Sequence, residues 1–356
     1  MHNPSLSQNS LHKERIFRYI TKMALNNKIP SQLSSVFVLM TVLLSKISAE
    51  RNFLNFSEKC MGTRFSILID EDSFEKASVG AKAAFQEAHR LNRIFSDYDA
   101  DSEISQFVQN AEINRYVKIS KQLAYILNES QKLAHETDGS FDITVGPLSR
   151  MWRISRFRKN LPEKSILEKT LKRVGYQNLL VDFEKNSAKL LKENMIIDLG
   201  GIAKGYTADC MLKVLKAHDL NRSLVDAGGD LVLGNPPRNK RGWKVEIGGR
   251  KHPKLPVLSL SNTAIATSGD LEQYLKINDV IYSHLINPHT GVGMIGKSQV
   301  TVIAPSGLVA DSLASSMIVM GVKKSEKLIR SQKQISAYFL NQNCEKIHFH
   351  KLSSLR

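Results

Sequence analysis

From Ser57 onward the apolar residues of this chain switch repeatedly between alternating and helical spacing, which predicts one α+β unit without repeats or low-complexity linkers. Residues 65–69 are strand-like, residues 73–94 carry helical spacing behind a serine cap, and residues 121–135 form a second amphipathic helix. Residues 178–191, with Lys185-Asn-Ser187 at their middle, predict a hairpin, followed by strands at Met195, Ser223, Leu231, Trp243, Val257 and Val300. Helices return over 312–319 and 325–332, and a hairpin of 335–340 against 346–350 closes the chain. Ahead of Ser57 the pattern changes. The apolar run over 36–44 is too short to span a bilayer, with Lys28 before it and Ile47-Ser-Ala49 behind it. This predicts a signal peptide over residues 1–49, with Met23 as the start that gives a conventional length, and a folded domain over 50–356. An uncleaved anchor or a buried strand is the alternative. Export to a bacterial periplasm follows from the leader, and no cysteine stands just after the run to carry a lipid.

The densest chemistry lies in Asp198-Leu-Gly-Gly-Ile-Ala-Lys-Gly-Tyr-Thr-Ala-Asp209. Residues 195–197 predict a buried strand and 202–217 a helix, so Gly200 and Gly201 fall at a strand-to-helix junction. Freed backbone N–H groups, the positive helix end and the Lys204 ammonium together suit a phosphate or pyrophosphate. The plainer alternative is a glycine pair that caps the helix and lets it pack closely. Neither a P-loop nor the spaced three-glycine dinucleotide fingerprint is present. Far downstream, Ala310-Asp-Ser-Leu-Ala-Ser315 sets Asp311 and Ser315 one turn apart on one helix face. A carboxylate and a hydroxyl so placed are hard oxygen donors suited to Mg²⁺, which completes its octahedron with waters and phosphates. Alternatively, Asp311 caps a helix that starts at Ser312.

Composition narrows the classes. With 356 residues, 42% of them hydrophobic and 24% charged, the chain is an ordinary globular protein able to bury a substantial core. The net charge of +16 invites nucleic acid, yet the basic residues are scattered, with modest concentrations over 150–158, 238–241 and 323–330 and no binding-module signature. No nucleic-acid partner is expected. An anionic cofactor or peripheral contact with a membrane surface accounts for the excess. Trp152 with Arg150, Arg153 and Arg156 predicts a solvated basic face that could meet an acidic patch on a partner. Cys60, Cys210 and Cys344 lack CxxC spacing and supply neither a metal site nor a disulfide framework.

Six further motifs stand in order around these two: Lys59-Cys-Met-Gly-Thr63, Tyr98-Asp-Ala-Asp-Ser-Glu-Ile-Ser105, Gly139-Ser-Phe-Asp-Ile-Thr-Val-Gly-Pro-Leu148, Ala227-Gly-Gly-Asp230, Ala266-Thr-Ser-Gly-Asp270 and His284-Leu-Ile-Asn-Pro-His-Thr-Gly291. Together the eight resemble the ApbE family of flavin transferases, from about Met61 to Gly321. The resemblance implies a single T-fold-like α+β unit, with mixed, largely antiparallel sheets flanked by helices. It implies that FAD and Mg²⁺ are bound and that the FMN half passes to a threonine hydroxyl of an acceptor protein, leaving AMP. Met61, Tyr98, Ser140, Phe141, Asp142, Gly200, Tyr206 and Leu285 would line the FAD site beside Lys204. The Ala203 carbonyl, Asp311 and Ser315 would hold the metal, with Ser315 standing where family members often have threonine. His284 is the leading base for the threonine proton, because imidazole titrates near neutrality, and Asp270 is the runner-up. Acceptor subunits of membrane respiratory complexes, met in trans, are the implied partners. A Mg²⁺-dependent FAD pyrophosphatase and a non-catalytic FAD-binding protein are the alternatives.

Overall fold

The computed structural model describes residues 53–247, 256–269, 274–296, 298–332 and 334–340, and the backbone of 347–350. The predicted leader, its boundary at residue 50 and Asp270 lie outside the described residues.

An eight-stranded sheet forms the centre, and its strands follow one another in space as they do in the chain: β1 (Leu54–Cys60), β2 (Thr63–Ile69), β3 (Ser223–Ala227), β4 (Leu231–Leu233), β5 (Thr263–Gly269), β6 (Gln299–Ala304), β7 (Ser336–Leu340) and β8 (Ile347–His350). Every ladder among the described residues is antiparallel. The β1–β2 connection is a two-residue turn in which Met61 (φ 49°) and Gly62 (φ 73°) both take positive φ, the geometry that matches strand twist.

Both faces of this sheet are covered. Val225, Ala266, Val302 and Phe339 point into the main core, while their neighbours Leu224, Ile265, Ile303 and Tyr338 pack with Trp243 in a second cluster. That is why β6 shows no alternation in burial: all six of its residues are buried, Gln299 and Thr301 included. The main-core face carries helices α1 (Phe74–Phe95), α2 (Glu103–Asn110), α3 (Lys121–Glu136), α6 (Ala203–Ala217) and α7 (Gly307–Ser331), whereas α4 (Gly146–Arg158) and α5 (Lys164–Leu171) pack with Leu275 and Ile286 in a third cluster. Serine side chains start four of these helices as caps: Ser73 accepts from the Lys76 N–H, Ser102 from Ser105, Ser120 from Leu123 and Ser306 from Val309. A three-stranded sheet (Tyr274–Ile277, Val280–Ile286, Gly293–Ile295) stands beside α4 and α7.

Three expectations are corrected. Residues 195–197 are buried as foreseen, but they join no ladder, and the Asp198 N–H bonds instead to the Ile143 carbonyl. The two C-terminal helices are separated at Gly321 (φ 72°, ψ 171°) as foreseen, but the first starts at Gly307 behind the Ser306 cap, earlier than expected. Asp311 is therefore an interior helical residue, 2% exposed, and not a cap. Trp152 is 1% exposed and donates its indole N–H to the Gly291 carbonyl at 2.8 Å, so the stretch foreseen as a solvated basic face is anchored in the core. The physical cause is the helical period, which turns Leu148, Trp152 and Ser155 inward while the arginines between them point elsewhere.

Candidate functional site

Two segments more than a hundred residues apart meet where α6 crosses α7, and four contacts fix the crossing. A side chain on Gly205 would strike the Gly307 carbonyl and come within 2.8 Å of Asp311 Cβ, while one on Gly307 would strike the Gly205 carbonyl and come within 2.7 Å of Val232. The absence of both side chains lets the backbones touch. The Gly205 N–H, one of the orphan donors of the first helical turn, is taken by Asp311 Oδ2 at 3.0 Å. Asp209 of α6 in turn caps α7, accepting from the Gly307 N–H at 2.7 Å and the Leu308 N–H at 2.9 Å. The result places Asp311 and Ser315 of α7 against the glycine turn, where Gly201 lies so close to the Ser315 hydroxyl that an added Cβ would stand 3.1 Å from it.

Charge at the crossing is concentrated, with one ammonium set against two carboxylates. The Lys204 ammonium contacts Asp230 Oδ2 and lies 3.8 Å from Asp311 Oδ1. Burial alone would lower the lysine's pKa, but the two carboxylates outweigh it and hold the ammonium charged. Burial pushes the Asp311 carboxyl up, against the opposing pull of Lys204. Asp209 is also pushed up, to about 6, because desolvation outweighs its two N–H bonds. An acid whose folded pKa exceeds its unfolded value binds more protons in the folded state, so its share of stability falls as pH rises from about 4 to about 6 and is constant above that. Asp209→Asn should flatten this portion of the profile. Urea unfolding of both proteins at pH 4.5 and 7 measures it; parallel profiles would contradict the assignment.

Around the crossing lies a cavity of about 520 Å³. Of the residues predicted for the site it gathers Tyr98, Ser140, Phe141, Asp142, Gly200, Lys204, His284, Leu285, Asp311 and Ser315 into one lining. Ala203, the first residue of α6, is buried beside Lys204. Asp142 also caps the short helical turn after it, accepting from the Thr144 N–H at 2.8 Å and hydroxyl at 2.6 Å, and its carboxyl is raised by burial. Met61 and Tyr206 do not line this cavity. Met61 stays in the β1–β2 turn, where its sulfur accepts from the Thr207 hydroxyl at 3.6 Å. Tyr206 sits two residues beyond Lys204, about 200° around the helix, and packs on Phe95 and Tyr125 at centroid distances of 5.8 and 5.4 Å.

Several residues beyond those predicted to hold FAD or metal stand in or beside the lining. Ser268 Oγ lies 3.1 Å from Ser315 Oγ, and the Thr267 N–H reaches Asp230 Oδ1 at 3.4 Å. Asp198 stiffens the glycine turn by accepting from the Gly200 N–H at 2.9 Å. Arg153 bridges Asp97 at 3.0 Å and Asp198 at 3.6 Å while its guanidinium stacks 4.0 Å from the Tyr98 ring centroid. The Asp and Ser positions stood inside motifs that were visible; for Arg153 the signal was the spacing Ser149, Arg153, Arg156, which is one helix stripe.

Known proteins place this architecture. The ApbE family model matches residues 61–339. The FAD:protein FMN transferase of Haemophilus influenzae is 29% identical over 307 residues, covering 82% of this chain and 87% of that protein. Its counterpart in Escherichia coli K12 is 28% identical over 251 residues, covering 68% and 71%. Among solved structures, the ApbE protein of Thermotoga maritima superposes with a TM-score of 0.74 at 26% identity, covering 85% of this chain and 97% of that one. A histidine-to-glycine variant of the flavin transferase ApbE from Vibrio cholerae gives 0.75 at 25% identity, covering 85% and 98%. In class the protein is a transferase. The chain belongs to the ApbE family.

Proposed function

We propose that this protein is a Mg²⁺-dependent FAD:protein FMN transferase that moves FMN from FAD to a threonine hydroxyl of an acceptor protein and releases AMP. The observation that carries the proposal is the convergence of Asp311 and Ser315 with the glycine turn and Lys204 in one cavity. Among the described residues no cluster of three or more His, Cys, Asp or Glu side chains surrounds a metal position. The donors present, a buried carboxylate, two neighbouring hydroxyls and backbone carbonyls, fit an ion that takes hard oxygens and fills its remaining positions with water and phosphate. Asp311, Ser315 and the Ala203 carbonyl would hold it. When bound, it would neutralise charge on the diphosphate.

This chain's own residues supply the rest. In the glycine turn the Gly200 and Gly205 N–H groups are taken by Asp198 and Asp311, which leaves the Gly201 N–H for the diphosphate, and Lys204, held charged, adds a full positive charge where negative charge gathers on both phosphates. Phe141 and Leu285 offer apolar surface to a ring. The threonine oxygen forms a bond to the FMN phosphorus, the bond from that phosphorus to the bridging oxygen breaks, and AMP leaves with that oxygen. The threonine proton passes to His284, which stands in the cavity wall on the strand Val280–Ile286, or to Asp270.

Partners and place follow the same proposal. Acceptor subunits of membrane respiratory complexes would be met in the periplasm, after export directed by residues 1–49, leaving 50–356 as the transferase domain. Among the described residues no helix is long and apolar enough to cross a membrane.

Incubation with FAD, Mg²⁺ and a candidate acceptor, read by in-gel flavin fluorescence, tests the reaction: a fluorescent acceptor band supports it, and free FMN with AMP as the only products contradicts it. His284→Ala should slow transfer by about 10²- to 10⁴-fold while FAD binding holds. Loss of FAD with an unchanged rate per bound cofactor would make His284 a binding residue instead.

A further inference from the structure

Helix α4 presents three stripes. Leu148, Trp152 and Ser155 are buried, Ile154 and Phe157 face outward, and Ser149, Arg153 and Arg156 line the cavity. Arg153 is already engaged, by Asp97 and Asp198. Arg156, one turn further along, is different. Among the described residues its side chain makes no hydrogen bond or ion pair, and the groups it faces are the Arg153 guanidinium and the Tyr98 phenol. Burial, and then that like charge, depress its pKa. A half-buried cation set against a second cation is unfavourable until an anion joins them. The planar fork of arginine suits a phosphate, with two parallel N–H bonds to its oxygens.

We propose that Arg156 grips a phosphate of the dinucleotide bound in this cavity, and so sets the preference of the site for a phosphate-bearing flavin over riboflavin. The inference rests on the proposal that FAD occupies the cavity. It explains why the cation has no ion-pair partner among the described residues: Arg153 is held in place by two carboxylates as the inner member of a pair, and Arg156 stays available to the ligand. Lys204 and the glycine turn serve the diphosphate from the other wall, so the ligand would be clamped between α4 and α6.

The test is equilibrium binding of FAD, ADP and riboflavin to the full chain in Mg²⁺, for wild type, Arg156→Ala and Arg156→Lys, with thermal melts of the unliganded samples. Arg156→Ala should weaken FAD and ADP by about tenfold or more and riboflavin by less than about twofold. Arg156→Lys should fall between, keeping the charge without the fork. The unliganded Ala variant should melt no lower than wild type, because no hydrogen bond or ion pair among the described residues is lost and a cation set against a second cation is removed. Unchanged FAD and ADP affinity, or an equal loss of all three ligands with a lowered melting temperature, would overturn the proposal. So would normal FAD binding with a raised KM for the acceptor, which would assign the guanidinium to the protein substrate. If wild type binds ADP but not FAD, the proposed function fails by itself, and the ADP comparison still decides Arg156.

Discussion

Asp311→Ala is expected to leave a folded protein whose flavin transfer is reduced by about 10³-fold or more. Asp311 is the single carboxylate assigned to the metal, and it is 2% exposed inside α7, so no water-exposed group can take its place. Removing it costs the Gly205 N–H its acceptor, but it also removes a carboxylate that burial disfavours, so the two effects on stability oppose each other. Lys204 keeps its contact with Asp230 and need not become an unpaired cation. Raising Mg²⁺ should not restore the rate. Ser315→Ala removes a neutral donor and should cost less, with a raised Mg²⁺ requirement. Single-turnover flavinylation at several Mg²⁺ concentrations measures both, and a wild-type rate in Asp311→Ala would refute the metal site.

Gly205→Ala should have the opposite profile, with the fold damaged first. In an ordinary helix interior this substitution stabilises by about 0.5–1 kcal/mol. Here the new methyl would meet the Gly307 carbonyl, which is backbone and cannot rotate away, and the Cβ of Asp311 at 2.8 Å. Separating α6 from α7 should cost about 1–3 kcal/mol or more, with a lower Tm. The Gly205–Asp311 hydrogen bond and the Asp209 cap both span the same crossing, so the folded fraction should lose activity as well. A variant as stable and as active as wild type would show that the close approach is not what positions Asp311.

Local signals in the sequence carried much of the fold. Ser73 marked a helix start because a serine hydroxyl can satisfy a free N–H three residues on, and the structure shows it doing so. Ser306 was passed over because the first turn of α7, Gly307 onward, begins with a glycine; the cap itself was there to be seen. Residues 195–197 were legible as buried but not as unpaired, since burial is written in side chains and ladder partners are not. The helix that holds Asp311 and the one that follows Gly200 were legible in the chain, and spacing put Asp311 and Ser315 on one face. What no periodicity could show is the tertiary part. The Gly205–Gly307 contact, the reach of Asp209 across to α7 and the pairing of Lys204 with Asp230 join residues far apart in the chain. Tyr206 was expected beside Lys204 through motif membership, whereas helix geometry sends it to the opposite side.

The central claim is that α6 and α7 together hold a divalent cation against the diphosphate of FAD. Phosphorus NMR of FAD bound to the full chain, with Mn²⁺ titrated in place of Mg²⁺, tests it most directly. Both diphosphate resonances should broaden selectively at substoichiometric Mn²⁺ in the wild type and stay sharp in Asp311→Ala. Bound FAD whose resonances ignore Mn²⁺ in the wild type, or broaden equally in the variant, would contradict the account.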